Sequence, residues 1–462
     1  MCRRWSFLGL ILVVTGSLLG CSGGTVGGGG GVGTGGTGNV AVMMGDAPPD
    51  GVTVLAFQVS LTGAVLQPGN VSLVSTPIRI ELKQLEVELA FLNAVQVPAG
   101  TYTSLQLTFA NPELTFLNNT GATLAGCPNG QVCKISPPLN PVSVNFSGPP
   151  FPLTVAANSS LGLLVDFDLQ NSLSQTLSVA PVVSIVTLPA LQGTGQIEEI
   201  EDLFGRVVSV DAANNRFTLE LTLSGQQLVV VVDAQTEFED FDDDGQCPSN
   251  NFSCVQVGQV LEVDLRILAG GVLRARKVEF EDGPNAEEVE GIIVSIQSPT
   301  QFQIVVLNEV PNLADIAVGN LISVTVQSGA NFRIDPNGLT IPADLRFESG
   351  ADLLVGQTVQ VRRRSGSTST NINTDRVRLR RTRFTASVQT PGAQTFQVNQ
   401  LPALFTANGI TSIEVRTSAE TDFDNVSGAA ALIAGDRVSL RGLLFRRTGG
   451  IPVLVAKKVR KR

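Results

Sequence analysis

The feature that most constrains the fold is a threefold repetition of strands and turns in the C-terminal part of the chain. One copy opens with FGRVVSVDAANNRFTLEL, the next with VEGIIVSIQSPTQFQIV and the last with FTASVQTPGAQTFQV. Each copy offers about five short strands in about 80 to 95 residues, which suits a small antiparallel barrel of the OB-like kind. We therefore predict three such barrels, at residues 197–283, 287–381 and 382–462.

One turn recurs in all three copies. Gly258, Gly356 and Gly435 occupy equivalent places, and each is followed by Gln or Asp and then by an apolar strand. Glycine tolerates a positive φ, which most other residues avoid. The repetition therefore predicts a left-handed backbone conformation at these three glycines.

Residues 40–191 show a different succession of strands. Runs such as VTVLAFQVSLTGAVL alternate apolar and polar residues, as half-buried strands do, and Pro/Gly turns separate them. The chain has 47 Gly, 24 Pro and few helix-favouring runs, which indicates an all-β protein. Residues 85–93 (LEVELAFLN) leave open whether they form a short helix or a further strand.

Three strings in this region carry a family resemblance: MGDAPPDGVTVLAFQVSL, VPAGTYTSLQLTF and LLVDFDL. In this order they resemble the domain-of-unknown-function family DUF4382, found at the N-terminus of bacterial and archaeal lipoproteins. The resemblance implies a β-sandwich without assigned activity. Four residues fall on its recurring positions: Asp46, Tyr102, Asp166 and Asp168.

These aspartates allow two interpretations. They could bind a cation; alternatively Asp46 shapes the turn before Pro48, while Asp166 and Asp168 share the solvent face of one strand. The second is favoured, because the alternation in LLVDFDL puts both carboxylates on one face. Tyr102 is predicted to be a buried ring whose hydroxyl ties a loop to the backbone.

The repeats resemble a second family without known chemistry, DUF5666, whose implied fold is a small β-barrel. The likeness is convincing for the first and last copies. It is weaker for the middle copy, where NEVPNLADIAVGN and PNGLTIPADLRF look like insertions.

The N-terminus carries an export signal. Arg3 and Arg4 precede an apolar run that ends in Leu-Leu-Gly before Cys21. This resembles the lipobox of bacterial lipoproteins, which implies a signal peptide at residues 1–20 and lipidation of Cys21. The alternatives are an ordinary signal peptide with an incidental cysteine, or a membrane helix. The Gly-rich residues 21–39 form a flexible linker, and Ser22 is compatible with the outer membrane or cell surface.

The remaining cysteines suit an oxidising cell envelope. Cys127 and Cys133 bracket one short loop, and Cys247 and Cys254 bracket another, so two small-loop disulfides are expected. The chain has no histidine, which excludes Ser-His-Asp catalysis and imidazole metal ligands. No nucleotide-binding motif lies between a strand and a helix. We predict neither a catalytic residue nor a required cofactor.

Calcium is the one ion that the sequence suggests. Asp240, Asp242 and Asp244 alternate before Gly245, the spacing of a Ca²⁺ loop. Position twelve would be Asn251 instead of the bidentate Glu of an EF-hand, so two interpretations stay open: a strand-flanked calcium loop, or a solvated acidic loop.

Charge is distributed unevenly along the chain. Residues 198–290 contain 21 acidic and 6 basic residues, whereas residues 351–462 contain 7 and 18. In TDRVRLRR, Arg376, Arg378 and Arg380 alternate with apolar residues and so share one strand face, which we expect to point outward. Such a face would contact an anionic polymer or lipid headgroups, or simply be solvated; few aromatic residues accompany it, so nucleic acid is not expected.

The sequence thus predicts a lipid-anchored cell-envelope protein of structural or binding role, without catalytic activity. Its partners would be the membrane, through the N-terminal lipid, and an anionic envelope polymer or a protein. The alternative is an adhesin or polymer-binding module with calcium as a stabilising ion.

Overall fold

The computed structural model describes residues 36–47, 53–241, 247–284, 286–310 and 313–462. Strands account for 55% of the structure and helices for 7%, which confirms the all-β prediction. Cys21 and most of the predicted linker lie outside the described residues. Within the described residues, no helix has the length and apolarity that a membrane span requires.

The N-terminal domain is built from twelve strands and two helical turns. The strands are β1 (Thr37–Ala47), β2 (Thr53–Gln67), β3 (Val71–Val74), β4 (Ile78–Glu81), β5 (Ala90–Pro98), β6 (Gly100–Tyr102), β7 (Ser104–Leu117), β8 (Val132–Ile135), β9 (Ser143–Phe146), β10 (Leu153–Val155), β11 (Ser160–Asp168) and β12 (Val183–Pro189). The helical turns are a 3-10 helix at Leu82–Glu86 and α1 (Leu169–Ser172).

Two sheets of this domain pack face to face as a β-sandwich. One has the order β12-β11-β1-β5; the other has the order β3-β2-β7-β8, with β4 and β9 paired to β2 and β7. A short β6–β10 pair lies beside them. Phe109 of one sheet and Phe167 of the other meet edge to face at 5.4 Å between ring centroids, inside a single apolar core. The sandwich predicted for this region is confirmed.

The ambiguous residues 85–93 contain both candidates, since the 3-10 helix ends at Glu86 and β5 begins at Ala90. Tyr102 is buried and its hydroxyl donates to the Pro98 carbonyl oxygen at 2.7 Å, as expected. Asp166 and Asp168 alternate with buried residues along β11, so they share a face.

The rest of the chain folds into three barrels. The first contains β13 (Gln196–Asp211), β14 (Arg216–Leu221), β15 (Gln227–Val231), β16 (Glu237–Glu239), β17 (Val260–Leu268) and β18 (Leu273–Asp282). The second contains β19 (Glu288–Ser298), β20 (Gln301–Val310), β21 (Leu321–Ile334), β22 (Thr358–Arg362) and β23 (Asn371–Arg380). The third contains β24 (Thr382–Thr390), β25 (Thr395–Asn399), α2 (Ala403–Thr406), β26 (Ile413–Arg416), β27 (Asp422–Asp424), β28 (Arg437–Phe445) and β29 (Val453–Lys461). Single 3-10 turns lie at Ala212–Asn214, Phe252–Cys254, Ala269–Gly271, Gly350–Asp352 and Ala429–Ala431.

The three barrels share one circuit of five strands. In the second barrel the order is β21-β20-β19-β22-β23, closed by a parallel pair of β21 with β23. The first and third barrels have the same order and the same parallel closure, β15 with β18 and β26 with β29. The five-stranded OB-like barrel predicted from strand count is therefore present three times.

The recurring glycine turn has the same geometry in each barrel. The φ angles of Gly258, Gly356 and Gly435 are 92°, 90° and 91°, which confirms the predicted left-handed conformation. Each glycine N–H donates at 2.8 Å to a carbonyl oxygen of the barrel's first strand, on Val207, Ile293 and Val388 respectively. The turn therefore joins the start of the fourth strand to the first.

The barrels and the sandwich share apolar cores. Leu55 and Leu117 of the sandwich pack in the core of the second barrel, and Leu443 and Phe445 of the third barrel enter the same cluster. Ala41 and Met43 of β1 belong to the core of the first barrel. The domains therefore bury surface against one another as well as within themselves.

Candidate functional site

Charged side chains meet where the three barrels and the sandwich come together. We call this set the charged junction. Its members are Glu88, Glu201, Asp202, Glu262, Glu281, Asp335, Arg380, Arg381 and Arg441.

Arg380, the last residue of β23, is the centre of the junction. Its guanidinium donates to Glu281 at 2.9 Å and also to Glu262 and Asp335, and its Cζ lies 5.1 Å from the ring centroid of Phe204. Burial lowers the pKa of Arg380, but these carboxylates more than compensate, so its pKa lies well above the ordinary value. The side chain stays a cation because it donates charge-assisted hydrogen bonds to carboxylates on two strands of the first barrel and on the loop after β21.

The same carboxylates have the spacing of a metal site. Ligand oxygens of Glu262, Glu281 and Asp335 lie within 4.8 Å of one another, and all three residues are buried. Because Arg380 donates to each of them, a guanidinium neutralises the group where a cation would otherwise be needed. We assign this cluster to domain packing.

Arg381 and Asp202 join the first barrel to the connection between the other two. Arg381 donates to Asp202 at 2.6 Å and to Glu262 at 2.8 Å. Asp202 follows an irregularity in the pairing of β13 with β17 and has a φ of 59°. A bulge redirects a side chain, and here the redirected carboxylate meets the guanidinium groups of Arg381 and Arg441.

Arg441 of β28 is fully buried and joins the third barrel to the sandwich and to the first barrel. It donates to Glu88 of the sandwich at 2.7 Å and to Glu201 of the first barrel at 3.1 Å. Burial raises the pKa of Glu201, but the positive charges of Arg441 and Lys458 outweigh it and lower the pKa to about 2. For Glu262, burial is likewise outweighed by Arg380 and Arg381, and its pKa is also about 2. Both carboxylates are therefore ionised at neutral pH.

A second group of ion pairs extends the contact between the first two barrels. Arg376 of β23 donates to Asp282 at 2.7 Å and also to Glu288, and Arg362 of β22 donates to Asp282 at 3.0 Å. Arg378 donates to Glu281.

The prediction of an outward arginine face is therefore wrong. Arg376, Arg378 and Arg380 do share one face of β23, as the alternation requires. That face meets β18 of the first barrel, whose carboxylates cover it, so two of the three residues are buried. The basic C-terminus behaves in the same way, since Arg460 and Arg462 donate to the backbone oxygen of Glu86 in the sandwich.

The predicted calcium loop is described only in part. Asp242 and Asp244 lie outside the described residues. Asp240 has a φ of 63°, and Asn425 at the corresponding place after β27 has a φ of 59°. Asp and Asn tolerate this conformation better than most residues, so Asp240 has a turn role that needs no ion. Calcium binding stays a prediction.

Both expected disulfides are formed. Cys127 is bonded to Cys133 beside β8, and Cys247 is bonded to Cys254 before β17. They close the two loops that the sequence singled out.

The aspartates that carry the family resemblance have local roles in the part of the sandwich that is described. Asp168 accepts from the Asn171 N–H at 3.0 Å and caps α1. Burial raises the pKa of Asp166, in spite of the charge of nearby Arg462. The Asp46 side chain and the turn at residues 48–52 lie outside the described part.

Comparison with known proteins identifies two segments of the chain. Residues 37–180 match the profile of a Domain of unknown function, DUF4382, and residues 204–279 match that of a second Domain of unknown function, DUF5666. The two matches follow one another in the order that the resemblance implied. The DUF4382 match spans most of the sandwich, and the DUF5666 match falls within the first barrel.

Other comparisons add little. No curated protein matches the chain. Among solved structures, one of drosophila Unr CSD456 covers 56% of this chain and 97% of its own, at 10% sequence identity and a TM-score of 0.13. A likeness at that level carries no argument about this chain.

The sequence reasoning missed the carboxylates of the junction, namely Glu88, Glu201, Asp202, Glu262, Glu281 and Asp335. One signal could have found most of them. An excess of acidic residues in one repeat and of basic residues in another is complementary, so the two can pair with each other before either meets an external partner.

Proposed function

We propose that this protein is a lipid-anchored cell-envelope protein whose folded part is a rigid, non-catalytic scaffold. One observation carries the scaffold role: opposite charges pair inside the molecule, between the first two barrels and between the third barrel and both the first barrel and the sandwich. Buried ion pairs of this kind fix relative orientation more than they add stability. A chain built in this way holds four domains in one arrangement.

The anchor is proposed from residues 1–39. Export and cleavage before Cys21 would leave a lipidated cysteine as the first residue, followed by the Gly-rich linker that precedes β1. The two disulfides support an oxidising compartment.

The absence of an enzyme activity is part of the proposal. General acid–base catalysis needs a carboxyl group that can reach a substrate. Within the described residues, the carboxylates of the charged junction contact arginine or lysine side chains, which take up the oxygens that a reaction would use.

The anchor is tested on the full chain produced in a bacterium with an outer membrane. We expect intact mass to show loss of residues 1–20 and gain of a diacylglyceryl group, and fractionation to place the protein in the envelope. Cys21→Ala should remove both signatures, whereas Cys2→Ala, within the leader, should leave them unchanged. Recovery of the wild-type chain with an intact leader would overturn the anchor.

The scaffold is tested separately by small-angle X-ray scattering of the purified lipoprotein in matched-density detergent. We expect one compact particle whose dimensions do not change with salt between 0.1 and about 1 M, because buried pairs are screened weakly. A scattering profile of independently moving domains would contradict the scaffold proposal and would not bear on the anchor proposal.

The adhesin alternative has less support than the sequence suggested. Its basic array is mostly internal, and exposed examples of the remaining cations are Arg364 and Arg447, with side chains 41% and 44% exposed. Salt-sensitive retention of the protein on an anionic polysaccharide, lost in the double variant Arg364→Gln/Arg447→Gln, would revive it.

A further inference from the structure

Arg383, on β24 beside the junction, lacks the partners that its neighbours have. Its side chain is only 13% exposed, and its nearest carboxylate, Asp202, lies 3.5 Å away without forming a hydrogen bond. Its Nε is buried and has no hydrogen-bond partner among the residues that the structure describes. Arg380 and Arg381, by contrast, each donate at least two hydrogen bonds. A buried guanidinium that makes no hydrogen bond requires an explanation.

The charge around Arg383 is also incompletely balanced. Burial lowers the pKa of Arg383, and the carboxylates of Glu88 and Glu290 do not offset it. The pKa of Arg381, buried close by, is raised because Glu262 outweighs the effect of burial. Asp202, the carboxylate nearest to Arg383, is already bound by Arg381 and Arg441.

Arg383 lines a cavity of about 110 Å³ between the sandwich and the first barrel. Most of its wall is apolar and includes Ile78, Leu85, Phe91 and Leu221. The carboxylates that also line it already accept from backbone N–H groups or pair with Arg441, and they are Glu81, Glu88, Glu201 and Asp202. The cavity has a second unsatisfied group, since Gln226 Oε1 is buried without a partner while Gln226 Nε2 donates to the Leu92 carbonyl oxygen. Apolar walls with a few convergent polar groups are characteristic of small-molecule sites.

We propose that this cavity, which is smaller than one that holds benzene, binds a small organic carboxylate with an apolar body of about four or five carbon atoms, held by the guanidinium of Arg383. The planar fork of arginine matches a carboxylate and would donate to its oxygens the hydrogen bonds that find no acceptor in the protein. An apolar cavity of about 150 Å³ accommodates benzene, which sets the size of the body. The site goes beyond the scaffold role and does not depend on it.

The cavity is tested by isothermal titration of the purified lipoprotein in detergent, with a titration into empty micelles as blank. The probes are the straight-chain acids from butanoate to decanoate, with hexan-1-ol as a neutral match for hexanoate. We expect affinity to rise about fourfold for each methylene that enters the cavity and to stop rising at about five or six carbons in all. Hexan-1-ol should bind at least about tenfold more weakly, because it cannot neutralise a buried guanidinium.

Two variants locate the site. Arg383→Gln should weaken hexanoate at least about tenfold and leave hexan-1-ol unchanged. Leu223→Trp, at a half-buried position of the cavity wall, should abolish both by filling the space. The matched control is Arg274→Gln, since the Arg274 side chain is 38% exposed, also has an unpaired Nε and lies away from the cavity.

Three results would overturn the proposal: no saturable heat with any acid, equal affinity for hexanoate and hexan-1-ol, or unchanged hexanoate binding by folded Arg383→Gln. If Arg383→Gln does not fold, Leu223→Trp tests whether hexanoate binds in this cavity. Hexanoate binding by a folded Leu223→Trp protein would place the site elsewhere and overturn the proposal.

Discussion

The first and third barrels share a backbone circuit and differ in charge. Both place glycine at a φ near 90° before the fourth strand, at Gly258 and Gly435. Both insert a three-residue strand, β16 and β27, that pairs in parallel with the fifth strand. Yet the first barrel, residues 197–283, holds 18 acidic and 6 basic residues, and the third, residues 382–462, holds 5 and 11.

The comparison separates two kinds of information in the repeats. Turn residues and strand periodicity determine the circuit, and these are common to the copies. Strand-face charges determine which surfaces meet, and these differ. Like-charged barrels would repel at the junction, whereas opposite charges hold the copies in one arrangement.

Removal of Arg380 should have the largest effect. Arg380→Met leaves buried Asp335 without its arginine partner, while Glu262 and Glu281 each keep one, Arg381 and Arg378 respectively. Because an uncompensated buried charge is costly, we expect a loss of about 3–5 kcal/mol in the free energy of unfolding, measured by urea denaturation.

The control for that variant is Arg364→Met. Arg364 pairs with Asp375 at 2.7 Å, but its side chain is 41% exposed, so the expected loss is within about 1 kcal/mol. Equal losses for the two variants would mean that the junction contributes no more than an ordinary surface pair.

The pH dependence should differ between Glu201 of the junction and Glu81 of the sandwich. The pKa of Glu201 is about 2, below its ordinary 4.5, so its stabilising contribution is present above pH 4.5 and is lost as pH falls toward 2. Burial raises the pKa of Glu81, in the sandwich, to about 7, so its contribution is full below pH 4.5 and is lost as pH rises through 7. Each is worth about 3 kcal/mol.

Urea midpoints at several values between pH 2 and pH 8 measure both slopes. Glu201→Gln should reduce the loss of unfolding free energy that occurs as the pH falls from 4.5 toward 2. Glu81→Gln should reduce the loss that occurs as the pH rises from 4.5 to 7. A Glu81→Gln variant that keeps the wild-type slope in that range would show that Glu81 titrates normally.

Some of these structures could be predicted from single residues and their neighbours. The φ of Gly258, the hydroxyl bond of Tyr102 and the two disulfides depend on short stretches of chain, and the sequence predicted each of them. Alternation also predicted that Arg376, Arg378 and Arg380 share a face.

What covers that face could not be predicted in the same way. Alternation with period two predicts which residues share a strand face. The same pattern occurs whether solvent or a second domain covers that face. Asp202 illustrates the same limit, because the bulge that directs its carboxylate to Arg381 depends on the pairing of β13 with β17, 60 residues later. Both depend on contacts between distant parts of the chain.

The glycine turns should respond unequally to the same substitution. A Cβ at Gly356 would lie 2.2 Å from the Phe405 ring, whereas a Cβ at Gly435 meets nothing within 4 Å. Both substitutions carry the strain of a positive φ, about 1–2 kcal/mol, and only Gly356→Ala adds a steric clash. We expect Gly356→Ala to be about 2 kcal/mol more destabilising in urea denaturation.

Gly356→Ala/Phe405→Leu separates the two contributions. Removing the ring should bring the cost of the alanine, measured against Phe405→Leu alone, close to the cost of Gly435→Ala. A cost that does not change would place the strain in the backbone and would mean that the ring can move aside.

The smallest expected effect concerns the loops after β16 and β27, where Asp240 and Asn425 have the same backbone conformation. Because Asn serves the third barrel in this turn, Asp240→Asn should change stability in EDTA by less than about 0.5 kcal/mol.

If the first loop binds calcium with the millimolar affinity common in extracellular modules, 10 mM Ca²⁺ should stabilise the wild type by about 1.4 kcal/mol. Asp240→Asn and Asp242→Ala should each reduce that gain, measured as a shift of the urea midpoint, whereas Asn425→Ala should leave it intact. Stabilisation that survives in Asp242→Ala would have to come from other carboxylates, and no stabilisation at all would leave the acidic loop as a solvated turn.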